Sequence, residues 1–298
     1  MLLVDREQRF ATLLLSQAPH TASRNAGGII NVTDTTRKWF INAINQFIQY
    51  AGDIRIDELS PQLLQDFQTA VSRRASNSTA NNYLRAISTI YNRLLKLGFV
   101  ASNPAAYIPS LPEPPSYPKA ISQETYEAMR LAAANKRNQT IIDLLYVSGC
   151  RIGELQSIMA SQIEIEADRN KLAMMVLGKG GKYRHIYATG LQAQTIIQYI
   201  EERPLTRHKQ LFLNNKGQPL AYYSYHSVIR TTKQAANLSE HTIANAHAFR
   251  HAAALRWLDE GIDLATVSQW LGHQNPEFTA RVYCIRTEAQ LRQKFYNR

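Results

Sequence analysis

Five of the chain's eleven prolines fall within ten residues, Pro109-Ser-Leu-Pro112-Glu-Pro114-Pro115-Ser-Tyr-Pro118. Proline fixes φ and donates no backbone hydrogen bond, so this stretch can be neither helix nor central strand and tends to run extended. It predicts an interdomain linker over 109–119, with one domain over 1–108 and another over 120–298. The alternative is a long surface loop inside a single domain. A length of 298 residues favours two domains, at roughly 150 residues each.

Hydrophobic periodicity separates the two sides. Trp39, Ala43, Phe47 and Tyr50 recur every three or four residues, which predicts a helix over 35–50 with Asp34 as its cap. Ser60-Pro61 reads as an N-cap followed by proline at the first helical position and opens a helix over 62–73. A third helix over 78–97 carries an apolar stripe of Tyr83, Ile87, Ile90, Tyr91, Leu94 and Leu95, and Gly98 stops it. The first domain is therefore all-helical. Beyond the linker, helices are predicted over 123–134, 140–147 and 152–159. The period then shortens to that of strands over 163–166, 172–177 and 183–187, with turn sequences between them. Helices resume over 191–202, 222–236, 246–260, 264–271, 276–283 and 288–296. The fold class is mainly α, with a small antiparallel β-meander embedded in the second, mixed α+β domain.

The charge balance points to an anionic partner. The chain carries 34 Lys+Arg against 23 Asp+Glu, a net +11, and nucleic acid is the default candidate for such an excess. The excess is spread over the chain: residues 1–110 carry 11 basic and 7 acidic side chains, and 111–298 carry 23 and 16. Cys150 and Cys284 are the only cysteines, so no disulfide framework and no Cys-x-x-Cys zinc pair is expected. The N-terminus breaks at once into Asp5-Arg6-Glu7 and no apolar run reaches the ~18 residues of a membrane span. The expectation is a soluble cytoplasmic protein.

Four short motifs carry chemistry. In His247-Ala-Phe-Arg250-His251 the three polar side chains share one helix face. That face continues as Ala254, Leu255 and Leu258 and so heads inward. A buried guanidinium is costly unless paired, so either a carboxylate from elsewhere or a bound anion satisfies Arg250. In Ser148-Gly149-Cys150-Arg151-Ile-Gly-Glu154, Arg151 follows a glycine at a helix–helix junction, where it either caps the preceding helix or points away from it. In Leu271-Gly272-His273 the glycine ends a helix and leaves His273 in the junction. Gly178-Lys179-Gly180-Gly181-Lys182 lacks the spacing of a phosphate loop and opens no helix; it is a flexible turn that can bring a lysine to a phosphate, or a plain exposed hairpin tip.

Taken in order, Arg151, the lysine turn, His247-x-x-Arg250, Leu-Gly-His273 and Tyr283 resemble the tyrosine recombinase (phage integrase) family, over nearly the whole chain and in its simple two-domain form. The resemblance implies metal-free phosphoryl transfer with no cofactor and no ATP. Tyr283 would be the nucleophile, Arg151 and Arg250 would clamp the non-bridging phosphate oxygens, His247 would shuttle the tyrosine proton, and His273 would hydrogen-bond the same phosphate. Lys179, preferred over Lys182, would protonate the leaving 5′ oxygen. Glu154 and His251 would support the site, Glu154 by orienting Arg151 or His251. Asn81, Asn82, Arg85 and Arg93, on the helix over 78–97, are candidate contacts to DNA or a plain solvated face.

The implied partners are duplex DNA with paired half-sites, a homo-tetramer in which a C-terminal helix docks on the neighbouring protomer, and accessory DNA-bending or directionality proteins. The implied location is the nucleoid. Type IB topoisomerases share this chemistry but fit the order of motifs less well. Two other readings are weaker. A DNA-binding regulator on a dead recombinase scaffold would lack the tyrosine or an arginine, and both are present. A zinc hydrolase built on His247-x3-His251 would have Arg250 beside its metal and no glutamate in the motif.

Overall fold

The computed structural model describes residues 13–23, 32–114, 119–178 and 180–273, together with Glu277, Thr279, Ala280, Arg292 and Tyr296. The chain forms two compact units, Met1–Pro115 and Ser116–Arg298.

The described part of the first unit is helical. A 3-10 turn, Leu15–Gln17, leads into α1 (Ala18–Ala22), followed by α2 (Asp34–Ala51), α3 (Pro61–Arg74) and α4 (Asn77–Lys96). Thr33, Ser60 and Ser76 cap the last three, each accepting a backbone N–H three residues on, the usual service of a hydroxyl at an N-cap. Asp34 is thus the first helical residue and not the cap, because the Thr33 hydroxyl already takes the Thr36 N–H. Phe40, Phe47, Phe67, Ile87, Ile90, Tyr91 and Leu94 fill the core, and the Tyr91 hydroxyl donates to the Ile56 carbonyl at 2.8 Å. Leu95, expected in the buried stripe, is 40% exposed.

The first residues of the proline cluster belong to this unit. The Asn81 amide donates to the Leu111 carbonyl and to Glu113 Oε1, while its oxygen accepts the Leu111 N–H at 2.8 Å. Asn77 donates to the Pro112 carbonyl and Gln68 to that of Pro109. Proline carbonyls remain acceptors even though the ring removes the donor, so a stretch that forms no ladder is still pinned by amide side chains.

The second unit runs α5 (Gln123–Leu131), α6 (Lys136–Ser148), α7 (Ile152–Ser157), β1 (Ile163–Ile165), β2 (Lys171–Leu177), β3 (Tyr183–Thr189), α8 (Gly190–Glu202), α9 (Tyr222–Ala235), α10 (Ala246–Asp259) and α11 (Leu264–Leu271). The strands form one antiparallel sheet in the order β1-β2-β3, with Leu177 opposite Tyr183 at the hairpin end. Helix α6 starts a turn earlier than its apolar spacing suggests, because the Asn135 side chain caps a first turn of polar residues. Leu144, Leu145, Met174, Val176, Ile196, Phe212, Tyr225 and Phe249 make the core between helices and sheet. Among the described residues no helix is long and apolar enough to cross a membrane.

Candidate active site

The site grows from the end of α6. Gly149 terminates that helix in the left-handed region at φ 56°. A Cβ there would lie 3.0 Å from the Ala253 side chain and 3.3 Å from that of Leu271, so α10 and α11 close in on the junction only because this residue is glycine. Arg151 then caps α7. Glu154, three residues on, reaches back to the Arg151 N–H with Oε2 at 2.7 Å and takes the Arg151 guanidinium with Oε1 at 2.9 Å. The Arg151 side chain does not cap the preceding helix; it lies between Glu154 and the Leu271 carbonyl, 3.5 Å away.

Arg250 enters from α10 and is only 4% exposed. Its NH1 donates to the Gly149 carbonyl at 2.8 Å and its NH2 to the Leu271 carbonyl at 2.6 Å. The buried charge thus leans on main-chain carbonyls at two helix ends, where the helix dipole favours cations. Gly272 ends α11 in the left-handed region and sends His273 back over Arg250, with Nε2 2.9 Å from NH2 and Nδ1 2.7 Å from the Thr279 hydroxyl. Burial, and then the charges of Arg250, Arg151 and Arg184, push the His273 imidazole down to about 4. It is therefore neutral at pH 7.

Arg184, on β3, completes the cluster and was missed in the sequence. Its NH2 donates to Glu154 Oε2 at 2.8 Å, and its NH1 donates to the Trp270 carbonyl. Strand alternation was the available signal, since residue 184 falls on the same face as the buried Ile186 and Ala188. Burial alone would raise the Glu154 carboxyl. The charge of Arg184, the Arg151 N–H and the charge of Arg151 outweigh it and hold the carboxyl below its usual value.

The structure therefore brings Arg151, Glu154, Arg250 and His273 together and adds Arg184. His247 is exposed on the first turn of α10, and His251 is half-buried and shifted down by burial, then by the charges of His247 and Arg250. Lys182 is exposed at the hairpin. Lys179 and Tyr283 lie outside the described residues, as does most of the expected helices over 276–283 and 288–296. Asn82 and Arg85 are exposed and hydrogen-bonded to each other, whereas Arg93 donates to the Ala22 carbonyl. Asn81 is corrected as a DNA contact: it is 3% exposed and its amide is spent on the linker.

The model of the phage integrase family matches residues 119–289, and that of the phage integrase N-terminal SAM-like domain matches residues 25–98. The chain belongs to the phage integrase family of tyrosine recombinases. It is similar to tyrosine recombinase XerC of Bacillus pumilus, with 25% identity over 282 residues, 89% of this chain and 90% of the relative. The fold is that of a lambda integrase dimer bound to a COC' core site (TM-score 0.73, 14% identity, covering 96% of this chain and 82% of that one). It also matches a lambda integrase tetramer bound to a Holliday junction (TM-score 0.71, 15% identity, 92% and 81%). The protein is a site-specific recombinase, an enzyme that cleaves and rejoins DNA.

Proposed function

We propose that this recombinase breaks a DNA strand by attack of the Tyr283 hydroxyl on a phosphodiester. The tyrosine oxygen bonds to phosphorus while its proton passes to His247. The 5′ oxygen leaves and takes a proton from Lys179. A 3′-phosphotyrosyl ester remains, and a 5′ hydroxyl from another strand reverses the steps, so the ester conserves the energy of the broken bond without ATP. Free tyrosine ionises near pH 10, so the nucleophile needs this proton acceptor.

The observation that carries the reading is the meeting of Arg151 and Arg250 at one carbonyl, that of Leu271, with His273 beside them. Such an arrangement presents two cations and an imidazole to one small anion. Planar guanidinium groups suit the two non-bridging oxygens, and their charge counts most as those oxygens gain charge in the transition state.

Acid-free runs support the DNA interface. No Asp or Glu occurs from Phe67 to Pro112 or from Arg203 to Ser239. Helix α4 lies in the first run and α9 in the second. Asn82 and Arg85 on α4, and Tyr223, His226 and Arg230 on α9, are exposed. Side chains of this kind contact phosphates and base edges. We place Asn82, Arg85 and the exposed α9 face against the duplex, with Arg93 as a support to α1. A homo-tetramer on paired half-sites, with accessory bending or directionality proteins, is the proposed assembly, and the bacterial nucleoid its location. The test is selection of a duplex site from a randomised pool, footprinting on it, then trapping of a covalent adduct on a nicked version. Footprints without any adduct would favour the regulator reading.

A further inference from the structure

We infer that Arg184 is a positioning residue that locks the lysine-bearing β2–β3 hairpin onto the arginine cluster. The inference rests on the proposed role of that hairpin in protonating the leaving group. The hairpin tip spans residues 178–182, closed by the Gly178 N–H on the Lys182 carbonyl at 2.8 Å. Glycines at φ 79° and 76° occupy positions 180 and 181. Glycine restricts its own backbone least of all residues, so these turn residues do not by themselves fix a neighbouring lysine, and a general acid must sit within hydrogen-bond reach of one oxygen.

Arg184 lies two residues beyond the tip, and its side chain is 13% exposed. Its two terminal nitrogens hold different parts of the site: NH2 takes Glu154 Oε2, and NH1 takes the Trp270 carbonyl. Glu154 is the carboxylate that fixes both the backbone and the guanidinium of Arg151. The next carbonyl after Trp270, that of Leu271, holds Arg250 and Arg151. One side chain therefore ties β3 to the partners of both phosphate-clamping arginines. The hairpin's other strand is pinned nearby, where the Leu177 N–H donates to the Ser157 hydroxyl at 2.8 Å.

Gly272 shows how closely the brace is fitted. A Cβ at Gly272 would lie 2.9 Å from Arg184 Cδ and Nε, so the guanidinium passes over this residue only because it has no side chain. Arg184 Nε is buried and finds no acceptor among the described residues. An arginine kept for stability alone would not carry that cost; one whose fork must span Glu154 and Trp270 has no other orientation. Lysine cannot reproduce such a fork.

The test uses the full chain with Arg184→Met and Arg184→Lys. The probe is a nicked duplex carrying the site that the wild-type protein selects from a randomised pool. The scissile bond is either the ordinary ester or a 5′-bridging phosphorothiolate, whose sulfur leaves without a proton. Both variants should bind the duplex as the wild type does and cleave the ordinary ester about a hundredfold more slowly, the scale of a displaced general acid. The sulfur substrate should remove most of that deficit. A deficit of equal size on both substrates, or none on either, overturns the inference. Amide hydrogen exchange of the same variants gives a reading that needs no catalysis. Exchange over 177–184 should rise by about tenfold or more while α6 stays protected. Unchanged exchange over the hairpin overturns the brace even if the wild type forms no adduct, whereas a missing wild-type adduct with raised exchange overturns only the proposed reaction.

Discussion

In the Arg250–His273 pair, the guanidinium NH2 lies 2.9 Å from the imidazole Nε2. Arginine has donors only, so Nε2 accepts and the ring proton sits on Nδ1, facing the buried Thr279 hydroxyl at 2.7 Å. The free recombinase thus stores His273 as a neutral acceptor. To donate to a phosphate, the ring must carry its proton on Nε2, and the Thr279 hydroxyl can turn from acceptor to donor to serve the other nitrogen.

The first prediction is spectroscopic. Nitrogen chemical shifts of His273 should show the Nδ1–H form at pH 7 and a midpoint near 4. The folded value is below the ordinary 6.5, so the unfolded chain binds more protons between the two. This group's contribution to stability is therefore intact above about 6.5 and is lost as pH falls towards 4. A midpoint close to 6.5 would mean that His273 is not packed against Arg250.

The second prediction concerns Asn81. Replacing it with alanine leaves the part-buried Leu111 N–H without its acceptor and frees the Leu111 and Glu113 acceptors. The expected loss is about 1–3 kcal/mol of stability, read from urea denaturation, with faster proteolysis over 109–119. A change below about 0.5 kcal/mol would return Asn81 to the solvated face that the sequence suggested.

Much of this molecule was legible beforehand. Helix periodicity, cap residues and the change to strand spacing located the elements, because those signals are local. Arg151, Glu154, Arg250 and His273 were singled out because each lies within two residues of a glycine or on an inward-facing helix turn, and their side chains do meet in the structure. Arg184 was not, since its partners are 30 and 86 residues away and only a strand's inward register marks it. Asn81 was misread for the complementary reason. A polar residue on a helix looks solvated until the segment that covers it, here 111–113, is in place.

The third prediction separates charge from geometry at Arg250. Arg250→Lys keeps the positive charge but loses the planar fork. It should slow single-turnover cleavage by at least about tenfold, or ~1.4 kcal/mol of barrier. A smaller effect would make Arg250 a structural cation of the α6–α11 junction.

The fourth prediction assigns the lysine. A 5′-bridging phosphorothiolate should restore cleavage by Lys179→Ala. Lys182→Ala should behave nearly as the wild type on both substrates. Rescue of the Lys182 variant alone would reverse the assignment.

The central claim is that Tyr283 carries the strand. Tyr283→Phe keeps the ring and removes only the nucleophilic oxygen, so the variant should bind the selected duplex with unchanged affinity. On a nicked suicide substrate, denaturing gel electrophoresis should show a covalent protein–DNA band for the wild type and none for the variant. A band of equal intensity from Tyr283→Phe would contradict the account.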